Sequence, residues 1–320
     1  MATHSPIAFL FPGQGSQSVG MGKELSALYP VARETFEEAD AALGYKISQL
    51  CFEGPEEQLK LTEITQPAIL TASVAAWRVL QSKGITPTYV AGHSLGEYSA
   101  NVAAGTLSFA DAVRTVRNRG KYMQEAVPVG VGAMAAVLAL PIEKLQLICE
   151  ESAQGEVCCA ANLNSPDQTV ISGSKAAVER AADLAKQRGA KRAIMLPVSA
   201  PFHCALMQPA QERLATDLAA LAFYTPEIPV MVNVDATLVT TADKARDALI
   251  RQVTGAVQWS RSMQALFERG VQTFVEVGPG KVLCGLLKQI DRSRTCLNVE
   301  NEASLQKTVN HFSSASPKPD

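Results

Sequence analysis

Gly92-His93-Ser94-Leu95-Gly96 stands directly between a short apolar run, 88–92, that reads as a strand and a run of small and apolar residues, 94–104, that reads as a helix. A G-x-S-x-G string is common by chance; its flanks are what constrain the fold. A strand that turns at once into a helix pushes the serine Oγ out of the sheet, and small glycines let the two elements pass closely. The helix N-terminus also aims backbone N–H groups at the place where a tetrahedral oxyanion would form. Such a nucleophile elbow needs an α/β sheet to carry it.

The rest of the chain supplies that context. Short apolar runs alternate with amphipathic segments, which favours a largely parallel sheet. Residues 7–11 read as a first strand before a Gly-rich loop, and 271–277 as a late strand closed by Gly278-Pro279-Gly280. Residues 24–43, 67–82 and 109–126 read as helices, the second beginning at Pro67. The middle has another rhythm: strand 133–140, helix 141–152, strands 157–162 and 168–172, helix 175–188 and strand 192–198. That β-α-β-β-α-β order is the split motif of a ferredoxin-like unit. The expected architecture is therefore a large α/β domain, 1–126 and 200–312, interrupted by a ferredoxin-like subdomain, 127–199. The Ser/Pro-rich stretch 313–320 reads as a disordered tail.

Composition narrows the classes. Hydrophobic residues at 47% against 19% charged fit a compact globular enzyme, and 29 Lys+Arg against 31 Asp+Glu leave no basic field for nucleic acid. The seven cysteines show no metal-ligand spacing, Cys158 and Cys159 being adjacent, and read as thiols of a reducing compartment. Cys204 reads as a buried, inert thiol. The N-terminal apolar run ends at Pro12-Gly13, too short for a secretory signal, and no stretch approaches the ~18 apolar residues of a membrane helix. The expectation is a cytoplasmic, soluble protein with no membrane partner.

A serine nucleophile needs a base, and only four histidines are present: His4, His93, His203 and His311. His4 and His311 lie near the ends, and His93 adjoins the serine at a turn where neighbours point apart, as a packed or supporting ring. His203 remains. It follows the strand 192–198 and the break at Pro201, and is expected to open a helix over 204–221, whose N-terminus would keep the imidazole neutral. Its bland alternative is a cap or core histidine. Asp111, Asp167 and Asp183 fall between Ser94 and His203, yet each sits in a segment typical of a solvated carboxylate. A neutral group orienting the base, in a Ser–His dyad, is the open alternative to a triad.

On the helix 109–126, Ala112, Val116, Arg119, Met123 and Ala126 share one face. Four are apolar; the fifth is Arg119. An inward guanidinium needs an anion, either a ligand carboxylate held bidentately or a structural Asp or Glu. The loop Phe11-Pro12-Gly13-Gln14-Gly15 fails both nucleotide patterns: G-x-G-x-x-G meets Ser18, and G-x4-G is followed by Met21 instead of Lys. Donating backbone N–H groups to an oxyanion, or a plain tight turn, remains.

Taken together these residues resemble the malonyl-CoA:acyl-carrier-protein transacylase family. The resemblance runs from about Ile7 to Asn301, through Phe11-Pro12-Gly13-Gln14-Gly15, Gly92-His93-Ser94-Leu95-Gly96-Glu97-Tyr98, Arg119-Gly120-Lys121-Tyr122-Met123-Gln124, Asn164-Ser165-Pro166, Ala200-Pro201-Phe202-His203 and Val257-Gln258-Trp259, in the family's order. It implies that Ser94 carries the acyl group, that His203 is the base, and that backbone N–H groups of Gln14 and Leu95 form the oxyanion hole. It implies further that Arg119 holds the malonyl carboxylate, that the Gln258 carbonyl orients His203, and that Asn162 and His93 line or support the site. Phe202 looks like the malonyl-type signature of related polyketide domains. The implied reaction is ping-pong malonyl transfer from malonyl-CoA to acyl carrier protein in fatty-acid biosynthesis, with no metal or cofactor, by a monomer that docks transiently on an acidic carrier.

Three other readings stand beside it: a serine hydrolase or thioesterase on the same pair, a polyketide-type trans-acting acyltransferase, and a silent carrier-binding module. The intact Ser94, His203 and Arg119 argue against the last. Lys175, Lys186, Arg188, Lys191, Arg192, Lys281 and Lys288 are the candidates for a basic docking patch.

Overall fold

The computed structural model describes residues 5–198 and 200–314. Strand β1 (Ile7–Phe11) is buried and ends at Pro12, which has no N–H to extend the ladder. Helices α1 (Lys23–Leu28) and α2 (Pro30–Leu43) replace the single helix expected over 24–43: Tyr29 is extended, and Pro30 starts a new helix at a position where a missing N–H costs nothing. After α3 (Ile47–Glu53) and α4 (Glu56–Leu59), the 21-residue α5 (Thr62–Ser82) begins before Pro67 instead of at it. One ladder bond is lost there, while the apolar residues on either side keep the helix buried.

Strand β2 (Tyr89–Gly92) runs parallel to β1 and leads through the elbow into α6 (Gly96–Ala103) and then α7 (Phe109–Glu125). The chain next builds a separate sheet from β3 (Gly132–Leu138), β4 (Cys158–Ser165), β5 (Gln168–Ser174) and β6 (Arg192–Met195), with α8 (Ile142–Ala153) and α9 (Lys175–Gln187) between them. All its pairings are antiparallel and its order is β4-β5-β3-β6, the arrangement of a ferredoxin-like unit. One face packs Ala135, Val137 and Ile171 against Leu145, Ile148, Val178 and Ala181 of the two helices. The other presents Met134, Ala136, Ala161 and Val170 to Leu196, Val198 and Phe202.

The chain returns through α10 (Gln208–Ala219), the short β7 (Val230–Met231) and β8 (Leu238–Val239), α11 (Ala242–Arg251) and α12 (Trp259–Glu268). It ends with β9 (Thr273–Val277), α13 (Val282–Ile290), β10 (Thr295–Val299) and α14 (Glu302–Ser314). The six-stranded sheet has the order β10-β9-β1-β2-β7-β8, parallel except for the β7–β8 pair. Adjacent β1 and β2 thus release the loop at 12–17 and the elbow side by side, at the carboxyl end of the sheet where α/β folds hold ligands. The last helix reaches Ser314, so residues 313 and 314 are helical where a tail was expected; 315–320 lie outside the described residues.

One reading of the cysteines is corrected. Cys284 and Cys296 form a disulfide, because β10 pairs with β9, the strand before α13, and brings the two Cα atoms to 5.5 Å. Cys51, Cys149, Cys158, Cys159 and Cys204 are free. No helix among the described residues is long and apolar enough to cross a membrane.

The glycines of the elbow are required by contact. A Cβ on Gly92 would overlap the backbone of Gly96, and one on Gly96 would overlap the Phe11 carbonyl of the neighbouring strand. Gly96→Ala should therefore lower stability by about 1–3 kcal/mol or prevent folding. Gly285→Ala, with open space around it inside α13, should instead raise stability by about 0.5–1 kcal/mol. Thermal denaturation of the two variants beside the parent protein checks both signs.

Candidate active site

Ser94 sits at the tip of the elbow with φ of 50°, in the left-handed region that a side chain normally avoids. Three neutral groups hold it there. Its N–H donates to Asn233 Oδ1 at 2.7 Å, Asn233 Nδ2 donates to the Gly92 carbonyl at 2.7 Å, and Gln252 Nε2 donates to the Ser94 carbonyl at 3.0 Å. His203 is also left-handed, with φ of 59°. Two such strained residues facing each other are a mark of a functional site.

The two side chains meet: Ser94 Oγ lies 2.7 Å from His203 Nε2. On the far side of the ring, Nδ1 is 2.9 Å from the backbone carbonyl of Gln252. A carbonyl only accepts, so Nδ1 carries the hydrogen, and the Nε2 lone pair is left to receive the Ser94 proton. His203 does not open a helix as expected; a short 3-10 turn, Ala205–Met207, intervenes before α10. Its neutrality has another origin. Burial, and next the positive charge of Arg119, push the imidazole down to about 3.

The carbonyl that faces His203 corrects the expectation for Gln258. Gln258 caps the start of α12, and its carbonyl is taken by the Ser262 N–H at 2.9 Å. Gln252 follows the last residue of α11, and carbonyls at a helix C-terminus lack onward partners and carry partial negative charge. Among the described residues no aspartate or glutamate is hydrogen-bonded to His203: Asp111 pairs with Ser108 and Arg114, Asp183 with Lys186, and Asp167 is exposed.

Arg119 is 2% exposed, on the inward face that the periodicity predicts, while Arg114, Arg117 and Lys121 are exposed. Its guanidinium donates to Gln66 Oε1 at 2.8 Å, Gln252 Oε1 at 3.0 Å and Ser94 Oγ at 3.1 Å, and lies 5.7 Å above the Tyr98 ring. Among the described residues no carboxylate stands within ion-pair distance. The structural ion pair that would have explained the residue is therefore not there. Gln66, Gln252 and Asn233 are all outside the residues singled out from sequence, because a neutral amide leaves no mark on charge or periodicity.

Gln14 and Leu95 line the same cavity, of about 130 Å³, with Ser94, Arg119, His93 and Asn162; Met134, Val198 and Phe202 form its apolar wall. The Gln14 and Leu95 N–H groups meet no hydrogen-bond acceptor among the described residues. Gly13 packs so closely on the His93 carbonyl that the loop 12–17 is pinned to the elbow. His93 Nε2 lies 2.8 Å from Asn164 Oδ1 and its ring packs against Trp259, which makes it a wall residue. Asn162 sits at an irregularity of β4 and pairs with Val257, tying the small sheet to the segment before α12. Cys204 is buried, and burial raises its thiol, so it stays protonated.

An adjoining cavity of about 510 Å³ meets the first at Gln14 and Val198, and is bordered by Lys60, Leu61, Lys121 and Val129. The candidate docking cations do not act alike. Lys175, Lys186, Arg188 and Lys281 are paired with Glu179, Asp183, Glu151 and Glu300. Lys191, Arg192 and Lys288 are exposed, with no ion pair among the described residues.

The chain is similar to known proteins over nearly its whole length. Residues 8–313 match the acyl transferase domain family. The malonyl CoA-acyl carrier protein transacylase of Salmonella typhimurium is 54% identical over 304 residues, 95% of this chain and 98% of that protein. The solved structure of the Coxiella burnetii malonyl CoA-acyl carrier protein transacylase, 47% identical, superposes with a TM-score of 0.94 over 96% of this chain and 97% of that one. A malonyl-transacylase solved in complex with a type II polyketide acyl-carrier protein is 48% identical, with a TM-score of 0.94 over 96% of this chain and 100% of that one.

The Ser94–His203 pair should make the serine reactive without any substrate. A fluorophosphonate should add one mass increment at Ser94, and His203→Ala should slow that labelling by roughly 100-fold or more. Because the imidazole is held far below its ordinary 6.5, the labelling rate should stay level as pH falls through 6.5. Intact mass spectrometry over time, across pH, reads both.

Proposed function

The chain belongs to the acyl transferase family and, within it, to the malonyl CoA-acyl carrier protein transacylases, and from this we propose that Ser94 carries malonyl groups from malonyl-CoA to acyl carrier protein in fatty-acid biosynthesis. One observation carries the reading further than the fold does: a buried guanidinium, Arg119, with no carboxylate in direct contact among the described residues, beside a serine that shares a hydrogen bond with a neutral histidine. A simple esterase has no use for a cation there; a dicarboxylic acyl group brings a carboxylate within direct reach of it.

In this reading the thioester carbonyl lies between Ser94 Oγ and the N–H groups of Gln14 and Leu95. His203 Nε2 takes the Ser94 proton as Oγ attacks, and the two N–H groups stabilise the oxyanion. The intermediate collapses, the C–S bond breaks, and the proton on His203 passes to the sulfur, which leaves as CoA. The Gln252 carbonyl keeps the ring oriented through Nδ1–H. Arg119, freed from Ser94 Oγ once the ester forms, turns its fork to the malonyl carboxylate. The carrier's pantetheine thiol then gives its proton to His203, attacks the malonyl-serine ester and leaves with the malonyl group, and Ser94 recovers its proton.

Asn162 and His93 shape the wall of the acyl cavity, and the larger cavity that meets it at Gln14 and Val198 takes the thioester arm. No cofactor or metal takes part. Cytoplasmic location, a monomeric enzyme and transient docking of an acidic carrier belong to the same proposal; light scattering with and without carrier protein measures the last two.

Incubation with malonyl-CoA alone should give one malonyl adduct, absent in Ser94→Ala. Arg119→Gln removes a charge-assisted contact worth about 1.5–3 kcal/mol. It should lower malonyl loading roughly tenfold to a hundredfold more than acetyl loading. Equal losses would sink the role of Arg119, and an adduct that hydrolyses before a thiol arrives would favour a hydrolase.

A further inference from the structure

Glu97, one turn along α6 from Ser94, is a buried carboxyl that the mechanism leaves unused. It is 0% exposed. One oxygen, Oε2, accepts from the Asn233 N–H at 2.8 Å and from Gln252 Nε2 at 2.9 Å. The other, Oε1, has no partner among the described residues. Gln252 is therefore shared five ways: its amide nitrogen serves Glu97, the Ser94 carbonyl and, at 3.4 Å, Asn233 Oδ1, its Oε1 serves Arg119, and its backbone carbonyl serves His203. Glu97 and Arg119 are opposite charges in one buried region, kept from direct contact by a single neutral amide.

A malonyl carboxylate arriving at Arg119 makes that region hold two negative charges against one positive. Burying an uncompensated charge costs several kcal/mol, so a group there changes its protonation instead. We infer that Glu97 is a positioning residue that takes one proton from solvent, on Oε1, when Ser94 is loaded with malonyl and not when it is loaded with acetyl. The balance is simple. The free site holds Arg119 positive and Glu97 negative; the loaded site holds Arg119 positive, the malonyl carboxylate negative and Glu97 neutral. Protonation at Oε1 leaves both hydrogen bonds to Oε2 in place, so Gln252 keeps its hold on His203.

The surroundings agree. Burial raises the Glu97 carboxyl to about 7, with Arg119 from α7 opposing the rise and Asp235 adding to it. Asp235 is itself held by Arg251 through two contacts of 2.9 and 2.7 Å, and Tyr98, the neighbour on α6, lies beneath Arg119. His203, which also feels Arg119, and His93 in the same cavity are the competing proton acceptors.

This inference rests on the malonyl-transfer reading, and the experiment separates the two. The full chain is loaded with malonyl-CoA or acetyl-CoA at about pH 8 in weak buffer with a pH indicator, and intact mass gives the extent of loading. Both donors release CoA alike, so the difference in proton uptake per loaded enzyme reports the extra carboxylate. The parent protein should take up close to one proton more with malonyl, and Glu97→Gln should lose that difference. The ratio of malonyl to acetyl loading at equilibrium should fall up to tenfold per pH unit above about 7 in the parent and stay flat in the variant.

Equal uptake with the two donors, or a malonyl excess that survives in Glu97→Gln, overturns the inference; the second outcome assigns the proton to a histidine of the site. Should the variant fail to fold, an infrared difference spectrum of the parent decides. A protonated-carboxyl band must appear on malonyl loading and not on acetyl loading, and its absence overturns the inference equally. A parent protein that shows no malonyl adduct at all strikes instead at the malonyl-transfer reading.

Discussion

Arg119 holds a full positive charge in the interior with only neutral acceptors around it, two glutamine oxygens and the Ser94 hydroxyl. A buried cation in that condition is costly unless something nearby answers it, and breaking a buried pair typically costs 3–5 kcal/mol. The answer within the protein is distributed. Amide dipoles of Gln66 and Gln252 point their oxygens at the guanidinium, the Tyr98 ring offers its face, and Glu97 contributes charge from behind Gln252. A direct Glu97–Arg119 bridge would be more stable and would close the site to any ligand carboxylate. Keeping the two charges one amide apart leaves the fork of Arg119 held by neutral groups alone, with no carboxylate to displace.

The same charge decides the state of the base. His203 is neutral because it is buried and because Arg119 repels a second positive charge, so a group needed for proton transfer is tuned by the group that would select the acyl chain. The backbone arrangement that brings them together comes from two sheets. Adjacent parallel strands β1 and β2 deliver Gln14 and Ser94 side by side, while the open face of the antiparallel sheet closes the cavity with Met134 and the segment after β6 with Leu196 and Val198. Left-handed Ser94 and His203 cost about 1–3 kcal/mol each, and Asn233 and Gln252 hold the serine turn against relaxation.

How much of this was legible in the chain follows from the range of the forces involved. The elbow was legible because its logic is local: strand, glycine, serine, glycine, helix. Arg119 was legible because one cation on an apolar helical face breaks a pattern, and His203 because so few imidazoles compete. Gln66, Gln252 and Asn233 were not, since each acts through an amide contributed from a distant element, and amides carry neither charge nor period. The break at Pro30 was written in the sequence and lost beneath an unbroken amphipathic pattern. The Cys284–Cys296 bond was hidden because only the pairing of β9 with β10 brings those cysteines together.

The choice between Gln252 and Gln258 shows why backbone chemistry resists sequence reading. Either residue offers the same carbonyl; what differs is which helix end it occupies. Gln258 stands at the start of α12, where its carbonyl is drawn into the first helical turn, whereas Gln252 stands just past α11, where the carbonyl is left over. A helix C-terminus thus does the orienting that an aspartate does in a triad. The substitution has a reason in this site. A carboxylate against His203 would stand within the field of Arg119 and compete with any anion that Arg119 is meant to hold. A carbonyl orients the ring as well, and carries too little charge to claim the guanidinium.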